Sequence, residues 1–281
     1  MPFESNAANA AQSRLGRPAR QSGLDLGPPR FSLRFLPVWR RNFLVWKKLA
    51  FTSVLGNLAD PLIYMLGLGY GLGRLLPQIE GQPYVMFLAA GTVCASTMNA
   101  ATFEALYSAF SRMHVQKTWE AILNTPLALD DVLTAELVWA ACKSLLSGVA
   151  ILVVATVLGL ITSPLALLAV PVIFLTGLAF AALGLIWNAL AKGYDFFMYY
   201  FTLFVTPMTL ISGVFFPAAE LPPAVAAVGE VLPLSHAVKL IRPLLAGQWP
   251  AAAFAHLAAL LAITGVAFWV ATVLTRRRLL K

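Results

Sequence analysis

Six apolar stretches constrain this chain more than any other feature. They lie near residues 49–73, 84–110, 132–160, 165–191, 196–216 and 251–275. Each approaches or exceeds the roughly 20 apolar residues that a helix needs to cross a bilayer. A chain of 281 residues filled this way has no room for a soluble catalytic domain beside the spans. Composition agrees: 59% of residues are apolar and 11% charged, where a soluble domain has about 45–50% and about 25%. The expected fold is all-α, a polytopic membrane protein with six transmembrane helices. Its two cysteines exclude a disulfide scaffold.

The segments between and around the stretches carry the remaining organisation. Residues 1–30 are polar and rich in Pro, Ser and Arg, with no apolar core of a cleavable signal, and read as a disordered cytosolic tail. In residues 31–48 the side chains Leu36, Trp39, Phe43 and Trp46 fall on one stripe and Arg40, Arg41, Lys47 and Lys48 opposite it. That pattern is an amphipathic helix lying among lipid headgroups, or the basic flank of the first span, or both. Residues 49–278 form the transmembrane domain. Within it, 217–250 is proline-rich, and its apolar runs are too short to span, so short helices re-entering from one side are expected.

Charge placement orients the chain. The 20 Lys and Arg exceed the 12 Asp and Glu, a formal net charge of +8. With the N-terminus inside, sixteen basic residues face the cytosol and only Arg74, Lys239 and Arg242 face out. By the positive-inside rule both termini are cytosolic. The basic excess is thus an orientation signal, with attraction to membrane lipid at the cationic helix, and nothing in it points to nucleic acid. The expected location is the bacterial inner membrane, multi-pass.

Charges inside the spans are costly and mark candidate sites. Glu104 and Lys143 lie at similar depth, roughly 10 Å in at 1.5 Å rise per residue, on antiparallel spans. They either pair and lock the two helices or snorkel separately to the interface. Asp60 precedes Pro61 near the middle of the first span, and faces the bundle or a pathway. Gly67, Gly69, Gly71 and Gly73 suit close helix packing, within the chain or between copies.

The loop 112–131 is the most informative connection. Val115, Trp119, Ile122 and Leu123 share one face of a short helix, with Lys117 and Glu120 off that face. Asn124-Thr125-Pro126 is expected to end it and begin the next helix. The short helix is either a docking knob for a soluble partner or a turn lying on the surface. At the start of the fifth span, Tyr194, Phe197, Tyr200, Phe201 and Phe204 form either an interfacial aromatic belt or a stacking surface for sugar rings. No Walker A sequence, zinc-type Cys/His cluster or nucleophile elbow occurs. No catalytic residue and no metal ligand set is therefore assigned.

Three stretches together resemble a known family, the permease subunit of ABC-2 type exporters, and within it the branch that exports lipo-chitooligosaccharide nodulation factor. They are Glu104 with Trp119-Glu120-Ala121-Ile122-Leu123-Asn124-Thr125-Pro126-Leu127; Trp139-Ala140-Ala141-Cys142-Lys143; and Ser212-Gly213-Val214-Phe215-Phe216-Pro217 through Leu221-Pro222 and Leu232-Pro233-Leu234-Ser235-His236 to Ile241-Arg242 and Gly247. The resemblance covers about residues 35–275. It implies an N-terminal connector helix and a coupling helix at 114–124, with Val115, Trp119, Glu120, Ile122 and Leu123 facing a P-loop ATPase. It also implies an outer re-entrant gate carrying Pro217, Pro222, Pro233, His236 and Arg242, and assembly of two permeases, as a homodimer, with two ATPases. Spans 1 and 5 would then line the path, near Asp60 and the aromatic residues. No cofactor is expected on this chain, since ATP and Mg would sit on the partner.

The function expected is therefore the membrane half of an ATP-driven exporter moving a lipid-linked oligosaccharide or lipo-oligosaccharide. Export of a drug or other hydrophobic compound is the nearest alternative. An intramembrane glycosyl- or acyltransferase is an alternative of a different class, and the dispersal of Glu104, Lys143, Asp60, Glu230 and His236 along the spans weighs against it.

Overall fold

The computed structural model describes residues 26–75, 78–79, 81–161 and 163–279, with the side chains of Asn57 and Asp60 outside the described set. The tail expected over residues 1–25 and the Asp60 carboxylate expected to face the bundle or a pathway lie outside it. The described chain is helical apart from a hairpin of two two-residue strands, β1 (Gln78–Ile79) and β2 (Gln82–Pro83).

An amphipathic helix α1 (Phe35–Lys47) precedes α2 (Ala50–Gly71), which carries Pro61 in its interior. After the hairpin, α3 begins at Tyr84–Phe103 and continues through π-turns at Glu104–Ser108 and Ser111–Val115. The short α4 (Thr118–Leu123) leads to α5 (Leu129–Val157) and then α6, a 3-10 turn at Pro164–Leu168 running into Ala169–Leu190. Helix α7 (Asp195–Ile211) has a π-turn at Phe201–Val205. Two short helices, α8 (Pro223–Val231) and α9 (Pro233–Leu245), come before the last helix α10 (Ala253–Leu279).

Five of these, α2, α3, α5, α6 and α10, are long and apolar enough to cross a membrane. Helix α7 is shorter but reaches from one end of the bundle to the other. Its first residues pack against Tyr107 and Phe110 near the end of α3, and the turn after it lies against Gly91, near the start of α3. Helices α8 and α9 meet at 85°, and Gly247 just after α9 lies against Ser163 ahead of α6. Proline at the first position of α8 and of α9, where no backbone donor is needed, sets both starts. The chain is an all-α polytopic membrane protein.

Small residues allow the helices to close on one another, as expected where lipid supplies no hydrophobic drive. A methyl group on Gly177 of α6 would lie 2.1 Å from Ser144 Oγ of α5, and one on Gly184 would lie 2.8 Å from the Ala105 methyl. Burial is uneven: 78% of the most apolar window of α3 is covered by protein, against 6% for α2. Of the four glycines in and after α2, Gly69 packs tightly on Val85 and Gly73 lies in ordinary contact with Tyr84, whereas Gly67 and Gly71 face open space.

Two boundaries differ from the expected ones. Thr125-Pro126 does not begin a helix: the Thr125 hydroxyl donates back to Ile122 O, and α5 starts at Leu129, where the Asp131 carboxylate accepts from Ala128 N–H at 3.0 Å. Residues 26–30, expected within a disordered tail, lie fixed across the ends of α5 and α10. Arg276 donates to Gly27 O at 2.8 Å and to the Asp130 carboxylate at 2.5 Å, and Arg30 N–H also donates to Asp130.

Candidate functional site

The end of the bundle that carries Arg112 and Arg276, called here the basic end, contains a buried charge cluster. Glu104 sits where α3 passes into its first π-turn, and Arg112 lies beyond that turn. Glu136 and Lys143 project from α5 seven residues apart, two helical turns, with Trp139 between them on the same face. Lys143 Nζ donates to Glu104 Oε2 at 2.7 Å, Arg112 to Glu104 Oε1 at 2.9 Å and Trp139 Nε1 to the same oxygen at 2.8 Å. Arg112 also grips Glu136 through Nε at 2.8 Å and Nη2 at 2.5 Å. The cluster holds two carboxylates and two cations, so it is neutral as a whole. Glu104 and Glu136 are each 2% exposed. Burying ions this deeply is tolerated only when every lone pair finds a donor, and here the carboxylates accept from charged and neutral donors on all sides.

The two peripheral helices are tied to this cluster. From α4, Trp119 Nε1 donates to Glu136 Oε1 at 3.2 Å, and its ring is 2% exposed. Lys117, in the left-handed region at φ +51°, turns the chain so that Trp119 faces inward. From α1, Asn42 donates to the same Glu136 oxygen at 3.4 Å, and Arg41 donates to Thr118 Oγ1 at 3.4 Å. Trp39, Phe43 and Trp46 surround Trp139 edge-on, with centroids 6.4, 6.4 and 5.9 Å away. Burial holds the Arg41 guanidinium below its usual pKa, the Arg112 cation adding to the effect. Val115 does not share the Trp119 face: it ends α3 and is 64% exposed. Ile122 and Leu123 are half-buried against the core, and Glu120 is exposed.

A cavity of about 480 Å³ opens between α2, α3 and α7. Thr92, Ser96 and Asn99 line it from α3 and Thr206 and Thr209 from α7, with Tyr64 and Phe215 adding aromatic surface. Phe103 and Phe201 narrow it toward the basic end, their centroids 4.7 Å apart, and Tyr107 stacks on Phe103 behind them at 5.2 Å. Among the described residues no Asp, Glu, Lys or Arg lines it. Of the five aromatic residues expected on a path, only Phe201 lies on this wall. Phe197 and Tyr200 are in the core, Tyr194 packs on Tyr107 and Phe110, and Phe204 packs on Trp187 of α6. Consecutive positions on a helix turn by about 100° each, so the aromatic run spirals round α7 instead of paving one side.

At the other end, the turn after α7 seals the cavity. Gly213 at φ +77° ends the helix, a conformation that costs a side-chain-bearing residue about 1–2 kcal/mol. Arg242 of α9 stacks on Phe87, 3.6 Å from the ring centroid, and donates to Gly213 O at 2.5 Å. Tyr84 donates to Phe215 O at 3.2 Å. Pro217 and Pro222 flank the chain into α8, and Pro233 starts α9. His236 meets His256 of α10 with Nδ1 atoms 2.9 Å apart, so one ring donates and the other accepts. Among the described residues no three of His, Cys, Asp and Glu converge to hold a metal ion.

Several of these residues escape the sequence reading. Glu136 had a signal, since it shares a face with Trp139 and Lys143. Arg112 had none, because eight residues from Glu104 it would lie off the Glu104 face of a regular helix.

The apolar helical bundle, with a cavity between α2, α3 and α7 that no charged side chain lines among the described residues, is that of a polytopic membrane protein. The sequence profile of the ABC-2 type transporter family matches residues 34–245, and the chain belongs to that family. It is 50% identical over 254 residues to Nodulation protein J of Rhizobium leguminosarum bv. viciae, covering 90% of this chain and 98% of that protein. Nodulation protein J of Rhizobium meliloti (strain 1021) is 48% identical over 246 residues, 88% of this chain and 94% of the relative. The protein of the same name from Azorhizobium caulinodans is 32% identical over 205 residues, 73% and 81% of the two chains.

Proposed function

We propose that this chain is the permease of an ATP-driven exporter in the bacterial inner membrane, with both termini cytosolic. Two copies work with two P-loop ATPase subunits to move a lipid-linked oligosaccharide or lipo-oligosaccharide outward. The observation that carries this reading is the unbroken connection from α4 to the cavity. Trp119 holds Glu136, Arg112 bridges Glu136 to Glu104, and Glu104 follows directly on Phe103, which lines the cavity. A push on α4 by a nucleotide-driven partner reaches the aromatic narrowing through charge-assisted bonds, which are short and directional. The exposed side of α4, with Lys117 and Glu120, receives the push. The second copy lies beside α2, the least covered of the long helices, and closes the open side of the cavity.

The cargo class rests on the lining. Tyr64, Phe103, Phe201 and Phe215 offer flat apolar faces, and Asn99, Thr206 and Thr209 offer hydroxyl and amide groups. That mixture suits uncharged sugar rings, which stack on aromatic faces through C–H groups and hydrogen-bond at their edges. The relatives' shared name, Nodulation protein J, comes from rhizobia and supports cargo of the nodulation-signal kind. The test is co-reconstitution with the cognate ATPase in vesicles. Lipo-oligosaccharide stimulates hydrolysis and is exported, and Trp119→Ala leaves hydrolysis running while export falls. Full export by Trp119→Ala overturns the coupling role, and stimulation by hydrophobic drugs alone overturns the cargo.

A further inference from the structure

The π-turn at Glu104–Ser108 interrupts α3 between the cavity and the charge cluster, and one side chain from another helix is spent on holding it. Asn188 of α6, 1% exposed, donates from Nδ2 to Ala105 O at 2.9 Å and to Leu106 O at 3.3 Å. A π-turn takes one residue more than an α-turn, and its carbonyls lose the regular donor four residues on. In an apolar interior those carbonyls need another donor. The fit is close on both sides. Gly184, one turn before Asn188, brings α6 against Ala105. Arg278 of α10 donates to the carbonyls of Asn188 and Ala189 at 3.0 and 2.8 Å, fixing the end of α6 from which the amide projects.

The register consequence is large. At about 100° per residue, two positions eight apart lie about 80° from each other around a regular helix. With one residue absorbed by the π-turn, the offset shrinks to about 20°. Only then do Glu104 and Arg112 share a face and form their 2.9 Å ion pair. The same shift sets Phe110 edge-on to Phe197, centroids 5.3 Å apart, behind the Phe103–Phe201 pair.

We propose that Asn188 is a positioning residue for transport: it holds the π-turn of α3, and thereby the register in which Arg112 engages Glu104 and the aromatic rings close the basic end of the cavity. The turn is the hinge between the half of α3 that lines the cavity and the half that carries Arg112. Its consequence for coupling rests on the exporter reading above, whereas the register itself does not.

The register is read by cross-linking in the full-length protein, with Cys94 and Cys142 replaced by alanine. One cysteine pair, Ser96→Cys with Ser147→Cys, lies on the cavity side of the turn, where the native hydroxyls are 2.8 Å apart. The other, Phe110→Cys with Phe197→Cys, lies beyond it. Asn188→Leu, similar in size and without a donor, is expected to cut reaction of the second pair with a short bis-thiol reagent by about tenfold. The first pair is expected to react as before. Asn188→Gln, which keeps both donors, is expected to hold the second pair within about twofold. An unchanged second pair in Asn188→Leu overturns the proposal. So does loss of both pairs together, or equal damage by Leu and Gln, because either result makes Asn188 a packing residue of the whole bundle. In the vesicle assay Asn188→Leu is further expected to keep ATP hydrolysis and lose export. Failure of that arm alone leaves the register standing and counts against the coupling scheme.

Discussion

At the residue scale the charge cluster is a shared arrangement, and its members are not equivalent. Glu104 joins three donors from two helices, whereas Lys143 has one carboxylate partner. Removing Glu104 therefore strands more charge than removing Lys143. Glu104→Gln is expected to lower Tm more than Lys143→Gln, measured by thermal unfolding in detergent. The reciprocal swap, Glu104→Lys with Lys143→Glu, is expected to restore little, because the new lysine faces Arg112. Recovery to wild-type Tm would show that Arg112 is a bystander. Arg112 itself lies between two carboxylates, and Arg112→Met leaves Glu136 buried without its cation. The expected cost is about 3–5 kcal/mol, with much of it recovered in Arg112→Met/Glu136→Met, where no charge is left stranded. A double variant no more stable than the single one would contradict this.

At the element scale, close approach decides which glycines matter. Helix α3 passes the turn after α7 so closely that a methyl on Gly91 would lie 2.2 Å from Val214 O, a backbone atom that yields only if the turn moves. Gly91→Ala is expected to cost about 1–3 kcal/mol, the usual range for overpacking, and to loosen the Arg242–Gly213 bond beside it. Gly67→Ala and Gly71→Ala on α2 meet nothing within 4 Å and are expected to leave Tm unchanged or slightly raised, since alanine favours helix. If they instead reduce cross-linking between copies while leaving Tm intact, α2 is the face the second copy covers. The alternating glycines looked uniform in the sequence, and packing separates Gly69 and Gly73, which meet Val85 and Tyr84, from Gly67 and Gly71, which meet nothing. Thr125-Pro126 teaches the same lesson: the pair reads as a helix start, yet α5 begins at Leu129 because Asp131 supplies the cap.

At the scale of the whole molecule, residues far apart in sequence fasten the basic end. Asp130 at the start of α5 and Arg276 near the end of α10 form a buried pair, and Arg276 also holds the carbonyls of Gly27 and Pro28. Phe31 stacks on Phe268 at 5.9 Å and Ser32 donates to Asp131 at 2.7 Å, completing a strap from residue 26 to α1. Arg276→Lys, which keeps a cation beside Asp130 and loses the guanidinium bonds to the Gly27 and Pro28 carbonyls, is expected to free the strap, seen as faster trypsin cleavage after Arg30 and Arg34 with the bundle otherwise intact. Unchanged cleavage would assign the strap to its aromatic and Ser32 contacts. By itself the sequence determined the all-α membrane class, the apolar runs that become α2, α3, α5, α6, α7 and α10, the amphipathic stripe of α1 and the short proline-started helices within 217–250. Each of these follows from local quantities: the length of apolar runs, the period of the apolar stripe and the positions of proline. Tertiary structure alone decided that Arg112 reaches Glu104, that Asn188 holds the turn permitting it, and that of the five aromatic residues expected on a path Phe201 alone meets the cavity. Periodicity assigns a residue to a face of its own helix. It does not say which helix that face will meet, and it fails at a π-turn, where an added residue rotates everything beyond it.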